Sequence, residues 1–351
     1  MNNQENQIQP IGLIGISQLL TARAPKHLIK GFMEYNTNTV IYGESTAGKS
    51  FVALEAAFCI ASAAVNGDTY FHGMHISQPG PTLYVCGEGE DGISKRIIGL
   101  QEKHDLENKE IPFYMTETGV ILNDGIQLQR LLMTCEQIKA QHGMYPKLIT
   151  FDTLNKSFIG NENSAEDMGE LVRSMDELRR ITGACVVMVH HTGKGGDIRG
   201  SSALRAGIDN QIGVFINENN DNGIVIKNDK MKDSGGMTDL FLNKRVVKVG
   251  YDDRYKEDIT TLVLDLDVSL SEKKIVNNDK TKGMGKAQKE VLQVIIKESE
   301  NTFDIALEEL FYAIKKETGM SKKAALQSIA GLQTRGLVLA SEETLVLTEN
   351  K

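Results

Sequence analysis

The octapeptide GESTAGKS at residues 43–50 has the spacing G-x-x-x-x-G-K-[S/T], which is typical of a loop that binds phosphate groups. Its two glycines lack a Cβ atom, so the backbone can adopt unusual dihedral angles and approach phosphates closely. In such a loop the lysine reaches the β and γ phosphates, and the hydroxyl that follows it binds Mg²⁺. The pattern therefore predicts ATP and Mg²⁺ as cofactors. The residues predicted to hold the nucleotide are Gly43, Glu44, Ser45, Thr46, Ala47, Gly48, Lys49, Ser50 and Phe51, with Lys49 also catalytic and Ser50 a metal ligand.

The segment LITFD at residues 148–152 is an apolar strand that ends in a carboxylate. At the carboxyl edge of a parallel sheet, Asp152 can hold the water shell of Mg²⁺ beside Ser50. The alternative is that Asp152 only caps a helix that follows. A phosphate-binding loop in the same chain favours the metal role.

The segment VCGEGE places two further carboxylates, Glu88 and Glu90, at the end of another apolar strand. A carboxylate at this place can orient and polarise the water that attacks the γ phosphate. Glu88 comes first after the strand and is the predicted catalytic carboxylate. Glu90 is expected to lie on the surface or to cap a helix.

Two histidines end a third apolar strand, VMVHH. A polar group at this strand end can sense the γ phosphate and pass the signal to the loop that follows. His190 and His191 are therefore predicted to act in catalysis, against the alternative that they are only structural.

Two loops that leave the same sheet edge carry basic residues. The segment TGKGGDIRGSSALR (192–205) is rich in Gly and Ser, and KSFIGNEN (156–163) is the second loop. Mobile basic loops suit contacts with the phosphate backbone of single-stranded DNA. The alternative is that they are two ordinary active-site lids. The residues predicted to contact nucleic acid here are Lys156, Lys194, Arg199 and Arg205.

The segment NDKMKD places Lys230 and Lys232 near the end of a strand. Alternate residues of a strand face the same way. These two cations are predicted to act in catalysis by reaching a nucleotide that a neighbouring subunit holds. The alternative is a strand end that is simply solvated.

Strands and helices alternate through the first two thirds of the chain, which predicts an α/β fold with a mainly parallel sheet and helices on both faces. After residue 208 the pattern changes to short strands separated by turn-forming residues, and these are expected to extend the sheet in an antiparallel manner. The predicted strands are 38–42, 81–87, 111–115, 147–152 and 184–191, and the predicted helices include 49–65, 91–104 and 164–182.

The chain divides into four predicted parts. Residues 1–30 form a polar N-terminal segment, 31–270 the ATPase domain, 271–285 a polar linker, and 286–351 a separate unit. Three helices followed by two strands in that last unit are typical of a winged-helix-like domain, with a small helical cap as the alternative. The third helix carries Lys322 and Lys323, with Gln327 and Arg335 nearby, and is expected to meet DNA.

Composition limits the class of protein. Charged residues make up 25% of the chain and hydrophobic residues 40%, which is ordinary for a globular protein. No apolar run approaches a membrane span and no signal pattern begins the chain, so a cytoplasmic protein without a membrane partner is expected. The net charge of −8 argues against a broad basic face that coats duplex DNA but leaves room for a basic channel.

The four cysteines lie in apolar stretches, which predicts buried thiols rather than disulfides or metal ligands.

Taken together, the motifs resemble those of the RecA-like ATPases of the RepA type, which are hexameric replicative helicases of plasmids with relatives on phages. The segments GESTAGKS, YVCGEGEDGISKR, LITFDTLNKSFIGNENSAEDM, VMVHHTGK, IRGSSALRAGIDN and KMKD occur in the family's order, over residues 30–250. The resemblance implies a RecA-like P-loop core, a homo-hexamer and single-stranded DNA in its pore. It also implies replication-initiation proteins as partners and nucleotide bound between subunits. One departure is that related helicases usually end the last motif in Arg, so Arg199 and Arg205 stand as the alternative to Lys230 and Lys232.

Three functions fit these observations. The first is a ring-shaped, ATP-driven helicase in plasmid or phage replication. The second is a RecA-like ATPase that binds DNA as a recombination mediator or loader without unwinding it. The third is a winged-helix regulator whose ATPase acts as a switch. A small-molecule kinase fits poorly, because no acceptor-substrate site accompanies the phosphate-binding loop.

Overall fold

The computed structural model describes residues 13, 15–19, 27–87, 90–107, 109–193, 197–218, 220, 222–232, 237, 239–267, 284–299, 305–334, 338–340 and 344–347. Glu88, Lys194 and Arg335 lie outside these ranges, as does nearly all of the predicted linker.

The strands, in chain order, include several that are only two or three residues long. Their bounds are β1 His27–Ile29, β2 Met33–Glu34, β3 Asn38–Gly43, β4 Tyr70–Phe71, β5 Met74–His75, β6 Thr82–Cys86, β7 Phe113–Met115, β8 Leu148–Asp152, β9 Cys185–His191, β10 Asn210–Ile216, β11 Gly223–Met231, β12 Leu240–Asp252, β13 Glu257–Leu266, β14 Ile305–Ala306, β15 Val338–Ala340 and β16 Thr344–Leu347.

The helices of the described residues range from four to eighteen residues. They are α1 Ile16–Leu19, α2 Lys49–Asn66, α3 Glu90–Lys103, α4 Gly125–His142, α5 Ala165–Thr182, α6 Ser202–Gly207, α7 Lys286–Ser299, α8 Leu307–Thr318 and α9 Lys322–Thr334, with a 3₁₀ turn at Leu154–Lys156.

A nine-stranded sheet in the order β13-β12-β11-β10-β3-β9-β8-β6-β7 forms the centre of the protein. The six strands from β10 to β7 run parallel, and β11, β12 and β13 are antiparallel. The predicted parallel sheet with an antiparallel extension is therefore present. One part of the prediction is wrong: β10 was expected to be antiparallel, but it pairs in parallel with β3. The chain reaches β10 through a crossover that contains α6, and crossovers of this kind return a strand in the same direction.

Helices cover both faces of the sheet. Strand residues point alternately to the two faces, so in β3 Val40 packs on one side and Ile41 on the other. On the Ile41 side the core is built with α2 and α3, and on the Val40 side with α4 and α5. The carboxyl ends of the parallel strands consequently lie between two helical layers, which is where α/β proteins place ligands.

Short-range signals fix where the helices begin and end. The Asp124 carboxylate accepts from the amides of Ile126 and Gln127 at the start of α4, and the Ser164 hydroxyl accepts from the Asp167 amide at the start of α5. Gly143 and Gly183 end these two helices in the left-handed conformation.

The helix α2 is rich in Ala and mostly apolar. By length and composition it could span a membrane, which corrects the expectation that no segment comes near this limit. However, 72% of it is buried inside the protein, as expected for a core helix between a sheet and its neighbours.

The described residues between 284 and 347 form a smaller unit with its own core. The helices α7, α8 and α9 pack around a three-stranded sheet of order β14-β16-β15. The Ser321 hydroxyl accepts from the Ala324 amide at the start of α9, and Gly319 ends α8 in the left-handed conformation. The third strand, β14, was not predicted.

Candidate functional site

The phosphate-binding loop connects β3 to α2 at the carboxyl edge of the sheet. Gly43 ends β3, and a Cβ there would lie 2.1 Å from the Val214 carbonyl oxygen of β10, so no other residue fits. Gly48 has φ 101° and caps the start of α2. Glu44, Ser45 and Thr46, between them, are exposed, and the helix start directs its amides toward the loop. This geometry is suited to binding phosphates.

Lys49 is almost fully buried at the base of the loop. Its ammonium donates to the Glu44 carbonyl at 2.7 Å and lies 3.5 Å from Nδ1 of His191. Burial lowers the pKa of Lys49, while the Asp152 charge opposes that shift. The amine is therefore held close to the loop backbone and to two of the predicted site residues.

Asp152 ends β8 beside the same loop and is only 4% exposed. Its Oδ2 accepts a 2.7 Å hydrogen bond from the Tyr84 hydroxyl of β6, while its Oδ1 is buried with no hydrogen-bond partner among the described residues. Burial raises the pKa of Tyr84, so the phenol stays protonated and donates. An unpaired carboxylate oxygen together with the hydroxyl of Ser50 is the hard oxygen donor set that Mg²⁺ prefers, so the residues fit this metal.

The predicted catalytic carboxylate, Glu88, lies outside the described residues, and Glu90 is the first residue of α3. The neighbouring Gly87 is described: a Cβ on it would lie 2.5 Å from Cβ of Lys156. Because Gly87 has no Cβ, Lys156 of the 3₁₀ turn can pack against the residue that follows β6, just before Glu88.

His190 and His191 end β9, directly beside the strand that carries the phosphate-binding loop, with His190 level with Tyr42 and His191 level with Gly43. His190 is 1% exposed, and its Nε2 donates to the Arg199 carbonyl at 3.0 Å. Burial lowers the pKa of His190, so it is held in the neutral form. The Arg199 amide donates to the His191 carbonyl at 3.2 Å, which brings Arg199 back to the end of β9.

The two basic loops meet at Glu162. Its side chain pairs with the Arg199 guanidinium at 3.1 Å, and its carbonyl accepts from the Ser201 amide at 2.8 Å. Gly200 packs so closely that a Cβ would lie 2.7 Å from the Glu162 carbonyl oxygen. The loops 156–163 and 197–205 thus form one joined structure next to the histidines. Arg205 lies farther along it, bonded to the Ile198 carbonyl and paired with Asp197.

Lys230 and Lys232 are not brought to the phosphate-binding loop of their own chain. Strand register places Met231 level with Thr39, at the start of β3, whereas the loop leaves the other end of β3. The ammonium of Lys230 donates to the carbonyls of Arg205 and Ile208, and that of Lys232 pairs with Asp209 at 3.1 Å. A catalytic role of these lysines toward a neighbouring subunit stays a prediction.

The cations predicted to meet DNA in the last unit lie at the start of α9. Lys322 and Lys323 are both exposed, and the ammonium of Lys322 lies 4.9 Å above the Phe311 ring. Gln327 is exposed one turn later.

Two residues of the site carry no signal in the sequence. Tyr84 is one of several apolar positions of a buried strand, and Glu162 is one polar residue of a polar loop. Only the pairing of β6 with β8 and the meeting of two distant loops give them their contacts.

A model of the AAA domain family matches residues 16–197, slightly more than half of the chain. The matched region contains the phosphate-binding loop, Asp152 and both histidines, and it is of the P-loop ATPase type. No curated protein matches the chain.

Proposed function

We propose that this chain, which belongs to the AAA domain family, is an ATP-driven helicase or translocase that moves on single-stranded DNA. The family supports the hydrolysis of a nucleotide by a P-loop ATPase domain. The movement on DNA, the ring and the RepA-type role in plasmid or phage replication are the proposed part.

A continuous set of contacts between the nucleotide loop and the basic loops carries this proposal. Lys49 lies 3.5 Å from His191, whose carbonyl accepts from the Arg199 amide. His190 binds the Arg199 carbonyl, and the Arg199 guanidinium pairs with Glu162 of the second loop. A change at the γ phosphate of ATP would therefore displace the two loops that we propose to bind a phosphate backbone. This coupling is what a translocase requires.

The chemistry follows from the same residues. Lys49 neutralises charge that develops on the γ phosphate, and the amides at the start of α2 bind the phosphate oxygens. Ser50 and Asp152 would hold Mg²⁺, which neutralises phosphate charge when bound. Tyr84 binds one oxygen of Asp152, so the other oxygen is left for the metal. Glu88 is the proposed residue that orients the attacking water.

The assembly we propose is a cytoplasmic homo-hexamer with nucleotide between subunits. Lys232 or Lys230, with Arg199 and Arg205 as alternatives, would reach the nucleotide of the neighbouring subunit. The last unit has the helix and strand order of a winged-helix domain, which supports a role for Lys322 and Lys323 in binding DNA or a replication-initiation protein.

The second candidate is a RecA-like ATPase that binds DNA as a mediator, loader or regulator without unwinding it. The pairing of the basic residues favours it: Arg199, Arg205 and Lys232 each contact a carboxylate. Such pairing reduces the positive charge available to the DNA backbone and would weaken the grip that sustained movement requires.

The test is the ATPase rate of the full chain against added single-stranded DNA, with the oligomer mass followed in parallel and strand displacement measured next. A translocase should show a rate that rises several-fold with DNA, a hexamer mass and displacement of an annealed strand. Lys49→Ala should lower kcat by about 10²–10³-fold, while the control Lys139→Ala, at an exposed site on α4, should not. Stimulation without strand displacement would support the second candidate, and a DNA-independent rate would overturn the translocase and favour a loader or regulator.

A further inference from the structure

A cluster of metal-ligating side chains lies on the Ile41 side of the sheet, away from the nucleotide loop. Glu55 and Cys59 stand one turn apart on α2, and His104 follows the last residue of α3. His72 lies in the two-residue turn between β4 and β5. We propose that Glu55, Cys59 and His104, with His72 beside them, form a structural site for a divalent cation of the zinc class.

Two of the distances within the cluster match those of a tetrahedral metal site. One ligand atom each from Glu55, Cys59 and His104 lies within 4.8 Å of the other two. The Cys59 sulfur is 3.6 Å from Nε2 of His104, which in turn is 3.8 Å from a Glu55 oxygen. Metal bonds of about 2.0–2.3 Å at tetrahedral angles separate their ligands by roughly 3.3–3.8 Å. The three atoms can therefore bind one ion with small side-chain movements.

A separate observation points to a missing partner. Glu55 is 2% exposed, and its Oε2 has no hydrogen-bond partner among the described residues. Nε2 of His72 lies 3.4 Å from this oxygen, and it is also buried and also lacks a hydrogen bond in the described part of the chain. Two buried polar atoms that face each other unsatisfied are costly, and a cation bound between them would satisfy both.

A metal ion would compete with the Lys103 ammonium for the Glu55 carboxylate. Its ammonium donates to Glu55 at 2.5 Å and to the Leu264 carbonyl. The Asp265 carboxylate lies 4.0 Å from the same ammonium, so the lysine has a second anion to pair with when Glu55 turns to a metal. A positive charge this close weakens the binding of a second cation.

The donor set selects the kind of metal. A thiolate with imidazole and carboxylate suits Zn²⁺ rather than Mg²⁺, which prefers oxygen ligands only. Burial raises the pKa of Cys59 well above its usual value, and the Glu55 charge adds to this. Binding releases the thiol proton to solvent as the metal–sulfur bond forms.

Such a metal would connect α2 to the end of α3 and to the β4–β5 turn. The phosphate-binding loop leads into the first turn of α2, whereas Glu55 and Cys59 lie in the middle of the helix. The site would therefore stabilise the domain without taking part in hydrolysis. The proposal does not depend on the DNA-related function.

The test is a titration of the chelator-treated full chain with cobalt(II), a spectroscopic substitute for zinc. Wild type should show a cobalt–thiolate charge-transfer band that saturates at one equivalent, and zinc should raise Tm. Cys59→Ser should abolish the band, and Cys135→Ser, a buried thiol in the other core, should keep it. Lys103→Gln should tighten binding, because it removes the competing positive charge.

A second variant keeps the test informative if Cys59→Ser does not fold. The side chain of His104 is 19% exposed, so His104→Gln should fold even where Cys59→Ser does not, and it should weaken the band and the zinc-dependent rise in Tm. The absence of a thiolate band in wild type, or a band that persists in both variants, would overturn the proposal. Because the readout requires sulfur, cobalt at the Mg²⁺ position of the nucleotide loop does not contribute.

Discussion

The carboxylate of Asp152 shows how one neighbouring side chain can set the state of a metal ligand. Tyr84 is fully buried and donates to Oδ2, which leaves Oδ1 as the oxygen available beside Ser50. Without that bond the carboxylate could rotate, and Oδ2 would be buried and unsatisfied. Tyr84 is therefore a positioning residue, which acts on the metal through Asp152.

Tyr84→Phe should raise the Mg²⁺ concentration that gives half-maximal ATPase activity by about tenfold, because groups behind a ligand tune its affinity to this extent. The rate at saturating Mg²⁺ should change much less. The free energy of unfolding should fall by about 1–3 kcal/mol, the cost of an unsatisfied buried acceptor. Mg²⁺ titrations of ATPase activity and urea denaturation measure these effects.

Tyr114→Phe is the matched control, since Tyr114 lies on the next strand of the same sheet but bonds His142. It should leave the Mg²⁺ requirement unchanged. If Tyr84→Phe lowered the rate equally at all Mg²⁺ concentrations, its role would be in stability alone.

At the scale of elements, Lys230 links the end of β11 to the short helix α6. Its ammonium donates to the Arg205 and Ile208 carbonyls, which lie at the carboxyl end of that helix. A cation here compensates carbonyls that have no partner within the helix. Lys232 forms an ion pair with Asp209 and is 63% exposed.

Lys230→Met should lower the free energy of unfolding by about 1–3 kcal/mol, because it removes hydrogen bonds from a charged donor. Lys232→Met should cost less than about 1 kcal/mol, as exposed ion pairs do. Urea denaturation of both variants makes the comparison. Equal losses would contradict the structural role assigned to Lys230.

The longer elements could be predicted because each carries its own signal. The eighteen residues of α5 repeat an apolar stripe and are bounded by Ser164 and Gly183, and strands such as β8 are continuous apolar runs. The hairpins β1–β2 and β4–β5 were missed because two or three residues are too few to show a period. The helix α6 was missed because its Gly- and Ser-rich surroundings are typical of a loop.

The residues of the site fall into two groups, those with a local sequence pattern and those without one. Lys49, Ser50 and Asp152 belong to patterns with fixed local spacing, so the sequence alone could predict them. The contacts of Tyr84 and Glu162, and the turn of Lys230 toward α6, depend on strand order and on loops far apart in the chain. No local pattern contains that information.

At the scale of the whole molecule, the position of Lys232 constrains the assembly. Lys232 follows the end of β11 that is level with the start of β3. The nucleotide loop leaves from the other end of β3. A cation so placed cannot serve the nucleotide of its own chain. In a ring of head-to-tail subunits, the opposite faces of one chain meet two different neighbours, so Lys232 could complete the site of the next subunit.

This arrangement predicts complementation between two inactive variants. Lys49→Ala removes the loop lysine and Lys232→Met the neighbour's cation, so each alone should lose ATPase activity by 10²-fold or more, about the loss of one charge-stabilising group. In equal mixtures that exchange subunits, about a quarter of the interfaces join an intact loop to an intact Lys232 (½ × ½), and activity should recover accordingly. Mixing Lys49→Ala with the double variant Lys49→Ala/Lys232→Met should restore nothing. If Lys232→Met is inactive and the mixture does not recover activity, the lysine acts within its own subunit. If Lys232→Met is active, the same mixing test should be applied to Arg199 and Arg205.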